Sequence, residues 1–332
     1  MLWVTWRQQR TQTLVTGALV VLAAVALAIT GTHLASLYTS VSSCQANCTA
    51  VVSAFRNDAQ SGFSGLVYHF SIYAMYLVPP LIGAFWGAPL VARELEAGTH
   101  RLAWSQTVTR RRWLATKLAV GGALAMLATG ILSLGATLAL HHLDHGQRIQ
   151  PELFGVRGIA PVAYTAFAFA LGVAAGTILR RTVVAMAVTL AVYIIAAVLM
   201  PTVVRAHLLP TRTATEPVSG ARDSVFEMHI DQQHRMKIIG TLHVPGSWPV
   251  SNRTVLPDGS EFAGPADPNV CGPNASPQAC SQWISTLHLR QVLSYQPASH
   301  YWPLQWTESG IFVVLALLLA GVAMWWTRRR LS

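Results

Sequence analysis

From Thr182 to Val204 the chain carries no Asp, Glu, Lys or Arg, and the same holds for Leu14–Ile29, Leu66–Ala92, Leu118–Leu140, Ile159–Leu179 and Gly310–Trp326. Apolar runs of about 20 residues match the hydrocarbon thickness of a bilayer. Inside that layer a backbone must satisfy its own hydrogen bonds, which leaves helices or closed barrels, and runs this long and continuous are helices. The overall composition agrees, with 52% hydrophobic and 11% charged residues and a mean hydropathy of +0.42. Soluble domains carry about 25% charged residues. The expected fold class is an all-α polytopic membrane protein with six transmembrane helices.

The connector between the second and third runs, Pro89–Lys117, is the polar centre of the sequence. Arg93, Arg101, Arg110, Arg111, Arg112 and Lys117 face only two acids there, Glu94 and Glu96. Short basic loops between spans stay in the cytoplasm. With the N-terminus, this connector, Arg180-Arg181 and Arg328-Arg329-Arg330 all inside, the inner face carries a formal excess of +11 and the outer face −1, so the net charge of +10 sits on one membrane face. Such an excess follows from positive-inside topology and requires no nucleic acid. Both termini are then cytoplasmic.

Cysteine placement gives an independent reading. Cys44, Cys48, Cys271 and Cys280 all lie in segments that the charge count puts outside, where disulfides persist. Local pairs 44–48 and 271–280 are reasonable, and a bridge between the two segments is the alternative.

At the N-terminus Trp3 and Trp6 alternate with Arg7 and Arg10 before the first apolar run. This suits an interfacial elbow helix or a plain aromatic anchor. The tryptophans and the length of the run oppose a cleaved signal peptide, despite Ala26-Leu27-Ala28. In the second span Pro79-Pro80 must interrupt the helical ladder. Gly83/Gly87, and Gly172/Gly176 in the fourth span, have the small-x-x-x-small spacing of closely packed helices. Arg180-Arg181 is so short a link that spans four and five form an antiparallel hairpin.

His141, Asp144 and His145 form a conceivable metal cluster, but solvated membrane-edge residues are the simpler reading. The segment 201–308 is polar, punctuated by Pro and Gly, and long enough for a small mixed α/β extracytoplasmic module between spans five and six. Ser224–Ile230 and Met236–Val244 are patterned as strands, and Ser281–Leu293 as a short helix. The domain plan is thus 1–200 for the first five spans with the 93–113 coupling segment, 201–308 for the module, and 309–332 for the sixth span and its basic tail.

The spans so drawn lack the intramembrane charges that ion-coupled carriers use. No phosphate-loop, His-Glu-x-x-His or Gly-x-Ser-x-Gly motif is present. A chain of this kind moves cargo only if a separate nucleotidase supplies the work through a cytoplasmic contact. The long inner connector is the place for it, although its arginines also fix topology and meet anionic lipid headgroups.

Gly87–Leu118 resembles the connector of actinobacterial type-2 ABC exporter permeases. Trp3–Arg10 and Tyr295–Trp306 are similar to other recurring stretches of that group, so the resemblance covers both ends and the centre of the chain. It implies a six-span permease that is not itself an enzyme. It also implies a second permease copy or paralogue, and a cytoplasmic ATP-binding-cassette subunit that holds ATP and Mg, with no cofactor in this chain. It maps an elbow helix onto Trp3–Arg10 and ATPase docking onto Arg93, Glu94, Glu96, His100 and Arg101. The uncharged spans favour export of a hydrophobic or amphiphilic substrate, with Phe85, Trp86 and Tyr193 as candidate cavity contacts. The rival reading is a non-transporting sensor or binding protein whose spans merely anchor the 201–308 module.

Overall fold

A computed structural model describes residues 18, 20–29, 31–32, 35–36, 57, 61–98, 109–140, 147–218, 225–230, 236–240, 242–264, 268–271 and 276–330. In chain order the main elements are the apolar helix α1 (Val20–Ile29), then α2 (Gly62–Leu81), α3 (Ala88–Glu96), α4 (Arg110–Leu140), α5 (Ala160–Leu179) and α6 (Thr182–Leu199). Strands β1 (Arg212–Pro217), β2 (Val225–Ile230), β3 (Met236–Gly240) and β4 (Trp248–Val255) follow. Helix α7 (Pro277–Thr286), strand β5 (Arg290–Gln296) and helix α8 (Tyr301–Arg329) complete the chain. The chain divides into two compact units, one made of 1–145, 151–205 and 301–332, the other of 146–150 and 206–300.

Five stretches in the described residues are long and apolar enough to cross a membrane: Ile72–Glu96, Arg110–Leu138, Ala160–Leu179, Thr182–His207 and Ala298–Arg329. They coincide with expected spans two to six. Of the expected first span, Val20–Ile29 is described as a helix of ten residues.

Helix α5 is the centre of the helical unit. Its residues are apolar on every side, and nearly all of them from Ala160 to Thr177 are buried. A helix without a polar face must be surrounded by partners, and α2, α3, α4, α6 and α8 all pack on it. Trp86, Val91, Leu95, Trp113, Leu114, Phe169 and Val173 belong to the main core cluster. Buried threonine hydroxyls return to the carbonyl one turn back, as Thr177 does to Val173, so they add no unpaired donors. The outward faces remain apolar, with Leu134, Val183 and Leu317 each more than 60% exposed.

Pro79-Pro80 does not end the second span. Helix α2 passes through both prolines, and Ile82–Gly87 then winds as a wider π-helical segment before α3. Proline removes ladder donors, and a π turn is one way a helix absorbs the change. The segment carries Gly83 and Gly87 onto the α5 backbone around Ala168–Gly172, and the start of α3 at Ala88 and Ala92 onto Gly176. A Cβ on Gly172 would lie 2.1 Å from the Gly83 carbonyl oxygen, and one on Gly176 would lie 2.5 Å from that of Ala88. The two small-residue motifs therefore pack against each other, backbone to backbone.

Two boundaries differ from the sequence reading. Helix α4 begins at Arg110, so the second half of the basic connector is the first two turns of a span. Helix α8 begins at Tyr301, well before Gly310. In consequence Lys117 and Glu308 lie within the packed helices, as does Arg205 just beyond the drawn fifth span, so the stretches the structure shows, unlike the shorter spans drawn, are not free of charge.

The second unit has an antiparallel three-stranded sheet in the order β1-β5-β4 and a separate β2-β3 hairpin. Thr215 and Arg253 flank Val292 in the register. The expected strands at 224–230 and 236–244 appear as β2 and β3, the second ending at Gly240, but the expected helix over 281–293 ends at Thr286 and gives way to β5. The alternating burial of β5 accounts for the change. Ser276 caps α7 by accepting from the Ala279 N–H, with Pro277 next to it. Cys271 and Cys280 are joined by a disulfide with a Cα–Cα distance of 4.6 Å, inside a core with Val218, Ile238, Phe262, Ile284 and Leu289. Beside β4, Asp258 accepts from the hydroxyl and the N–H of Ser260, which holds its carboxyl below the usual range.

Candidate functional site

The helical unit has two polar centres, at opposite ends of its helices. The first lies where α3 stops. Gly98, with φ of 70°, lets the chain leave the helix just after Glu96. Glu94 pairs with Lys117 of α4 at 2.6 Å. Lys117 also donates to the Leu90 carbonyl at 3.1 Å and sits over the Trp113 ring. Two residues on, and so on nearly the opposite face of the helix, Glu96 Oε2 accepts from Thr182 of α6, from the N–H at 3.1 Å and from the hydroxyl at 2.7 Å. The last turn of α3 therefore holds two neighbouring helices by separate carboxylates.

The α5–α6 link lies at this same end. Arg180 takes a left-handed conformation, closes α5 through its N–H to the Gly176 carbonyl, and donates from its guanidinium to the Arg330 carbonyl at the end of α8. Arg93, the Arg110–Arg112 run, Arg180-Arg181 and the Arg328–Arg330 run thus gather at one end of the unit.

The second centre lies at the other end, where α5 and α8 begin. Arg205 forms a two-pronged ion pair with Glu308, Nε to Oε2 at 2.7 Å and Nη2 to Oε1 at 2.9 Å. Tyr164 donates its hydroxyl to the same carboxylate. The guanidinium lies over the Phe154 ring at 4.2 Å. One turn before Glu308, the buried Gln305 satisfies four backbone groups. Its oxygen accepts from the N–H groups of Ile159 and Ala160, and its amide donates to the carbonyls of Phe154 and Arg157. A side chain of α8 thereby caps α5, whose first N–H groups have no partner within their own helix.

The sequence-predicted residues fare differently. Arg93 is exposed on the last turn of α3, and Glu94 and Glu96 are engaged as above. Trp86 is buried edge-on to Phe169, and Tyr193 is buried near Phe167, while Phe85 is 56% exposed and faces away from them. Trp3, Trp6, Arg7, Arg10, Cys44, Cys48, His100, Arg101, His141, Asp144 and His145 lie outside the described residues. Among the described residues, no group of three or more His, Cys, Asp or Glu side chains is placed to hold a metal.

The sequence reading missed Tyr164, Thr182, Arg205, Gln305 and Glu308. One signal was present: Tyr301, Gln305, Glu308 and Phe312 repeat at helical spacing, which places the start of α8 before its apolar run.

A protein-family model described as ABC-2 membrane transporter related matches residues 17–205, more than half of the chain. The chain belongs to this family. It is a multi-pass membrane protein and a permease component of an ABC transporter, a transport component that is not itself catalytic. Membership implies an ATP-binding subunit as partner and a dimeric arrangement. The comparisons with curated proteins and with solved structures found no match. The matched region contains the α3 end, the α5–α6 link and Arg205, whereas Gln305 and Glu308 fall beyond it.

Proposed function

We propose that the chain is the transmembrane subunit of an ATP-driven exporter of the kind its connector resembles in actinobacteria. It acts as a pair of copies, or with a paralogue, on two cytoplasmic ATP-binding-cassette subunits that hold ATP and Mg. Six spans leave both termini inside and the 206–300 unit outside. The ATP-binding subunits dock on the segment from Arg93 to Arg101, and their closure rocks the second and third spans so that a cavity between the permease copies changes its access. The substrate is hydrophobic or amphiphilic, in keeping with apolar outward faces and with Phe85 exposed on the second span.

The observation that carries this reading is the gathering, among the described residues, of Arg93 and the short basic runs 110–112, 180–181 and 328–330 at the end where α3 stops, around a helix terminus joined by two carboxylates to α4 and α6. A push there is shared among three spans. The test is purification of the tagged permease in mild detergent from its native host. An ATP-binding protein with a phosphate-loop motif co-purifies, and Arg93→Glu, which alters an exposed residue at the docking surface, lowers its yield. A permease that purifies without such a subunit, or an Arg93–Trp113 region labelled by an impermeant reagent from the outer medium, overturns the reading.

A further inference from the structure

Helix α6 lacks an N-cap of its own. The residue before it, Arg181, is extended and makes no side-chain cap hydrogen bond. A guanidinium has only donors and cannot serve the donor-rich start of a helix. Glu96 fills that role from 86 residues away, accepting from both the N–H and the hydroxyl of Thr182 through one oxygen. The carboxylate also lies at the positive end of the α6 dipole, with Arg181 as a neighbouring positive charge. Glu94, two residues earlier and on nearly the opposite face of α3, is turned to α4 instead.

We propose that Glu96 is a positioning residue for transport: it carries displacement of the 93–101 segment directly into α6, the fifth span, by serving as that helix's cap. The inference rests on the reading of 93–101 as the place where the ATP-binding subunit pushes. It adds a second path beside the covalent one from α3 back into α2, and it engages Glu96 with Thr182. At its far end α6 leads through the π-helical Met200–Val204 to Arg205, where Glu308 holds it. The span is therefore grasped by a carboxylate at each end, and movement imposed at Thr182 is delivered toward the Arg205 cluster.

The experiment uses the permease with its co-purified ATP-binding subunit in lipid nanodiscs and needs no knowledge of the substrate. Val183→Cys, at an exposed position next to Thr182, reports on α6 through its rate of alkylation by a water-soluble maleimide, read by peptide mass spectrometry. Rates are compared between the nucleotide-free complex and the complex trapped with ATP and vanadate. The wild-type background shows a nucleotide-dependent rate change of about fivefold or more, the scale of an ordinary coupling between sites. Glu96→Ala abolishes that change, Thr182→Ala reduces it and Thr182→Ser preserves it. The Thr182→Ala and Thr182→Ser variants, which alter a residue outside the docking segment, keep the co-purifying ATP-binding subunit and its KM for ATP. A Glu96→Ala complex that keeps the full change overturns the inference, as does a wild-type complex in which Val183→Cys does not respond. Loss of the ATP-binding subunit from Glu96→Ala alone makes Glu96 a docking contact, which also overturns it while leaving the proposed function standing. Absence of that subunit from the wild type rejects the proposed function itself. If Glu96→Ala fails to assemble, the Thr182→Ala and Thr182→Ser pair decides the matter, because each leaves the carboxylate in place.

Discussion

Arg205 and Glu308, 103 residues apart, face each other as a two-pronged ion pair at 2.7 and 2.9 Å, with side chains 3% and 0% exposed. The chain leaves the helical unit just after the first and re-enters it shortly before the second. Burying two charges is expensive, and the attraction between them repays it only when the remaining lone pairs and protons are also used. Here Tyr164 takes one carboxylate oxygen and the Phe154 ring covers the guanidinium. The pair thus fixes the ends of α6 and α8 to the start of α5.

Replacing Glu308 by Gln strands the buried guanidinium and lowers stability by about 3–5 kcal/mol. Arg205→Met does the same to the carboxylate. The double variant Arg205→Met/Glu308→Leu removes both charges and loses much less than the sum of the singles. Thermal unfolding of the detergent-solubilised permease checks this. Additive losses reject the view that the two residues act as a unit.

How much of this was legible in the sequence depends on what kind of interaction does the holding. The spans were legible because apolar length is a property of one segment, and the paired glycine motifs because their spacing is local. The Gly83/Gly87 and Gly172/Gly176 motifs could be named separately, but only the fold shows that they meet. The residues at the helix ends were not legible for the opposite reason. Glu96 and Thr182, or Gln305 and Ile159, are joined across long stretches of chain, and nothing near either member announces the other. Treating Lys117 and Glu308 as flanking charges followed from drawing spans by hydropathy alone, which trims a helix at its first polar turn.

The glycine contact gives a sharp contrast between two positions. A Cβ on Gly172 meets the Gly83 carbonyl oxygen at 2.1 Å, and that oxygen is backbone that cannot rotate away. Gly172→Ala therefore forces α5 from the π segment, at about 3 kcal/mol, the upper range for overpacking. Around Gly310 nothing lies within 4 Å, and Gly310→Ala changes stability by no more than about 1 kcal/mol. Yield and monodispersity on gel filtration, with melting temperature, separate the two. Equal behaviour of both variants disproves the interlocked packing.

Gln305 is tested by taking away its hydrogen bonds while keeping its bulk. Gln305→Leu leaves the N–H groups of Ile159 and Ala160 and the carbonyls of Phe154 and Arg157 without this partner. Unsatisfied buried groups cost about 1–3 kcal/mol each, and partial relaxation brings the total to about 4 kcal/mol. Hydrogen exchange measures the effect where it arises, as faster exchange in the first turn of α5 with the last turn unchanged. A uniform rise along α5 would mean that Gln305 supports the whole bundle and is no local cap.

At the opposite end the Glu94–Lys117 pair is asymmetric, because Lys117 is 5% exposed and Glu94 is 21% exposed. Removing the carboxylate leaves a buried ammonium with the Leu90 carbonyl and the Trp113 face, too little to replace a counter-charge. Removing the ammonium leaves a carboxylate that water can reach. Glu94→Gln therefore destabilises the permease by about 3 kcal/mol, near the value for breaking a buried pair. Lys117→Met costs about 1 kcal/mol, closer to a pair open to solvent. Melting temperatures of the two variants in the same detergent give the order directly. The reverse order would place the low-dielectric partner on α3 and shift the anchoring role from Lys117 to Glu94.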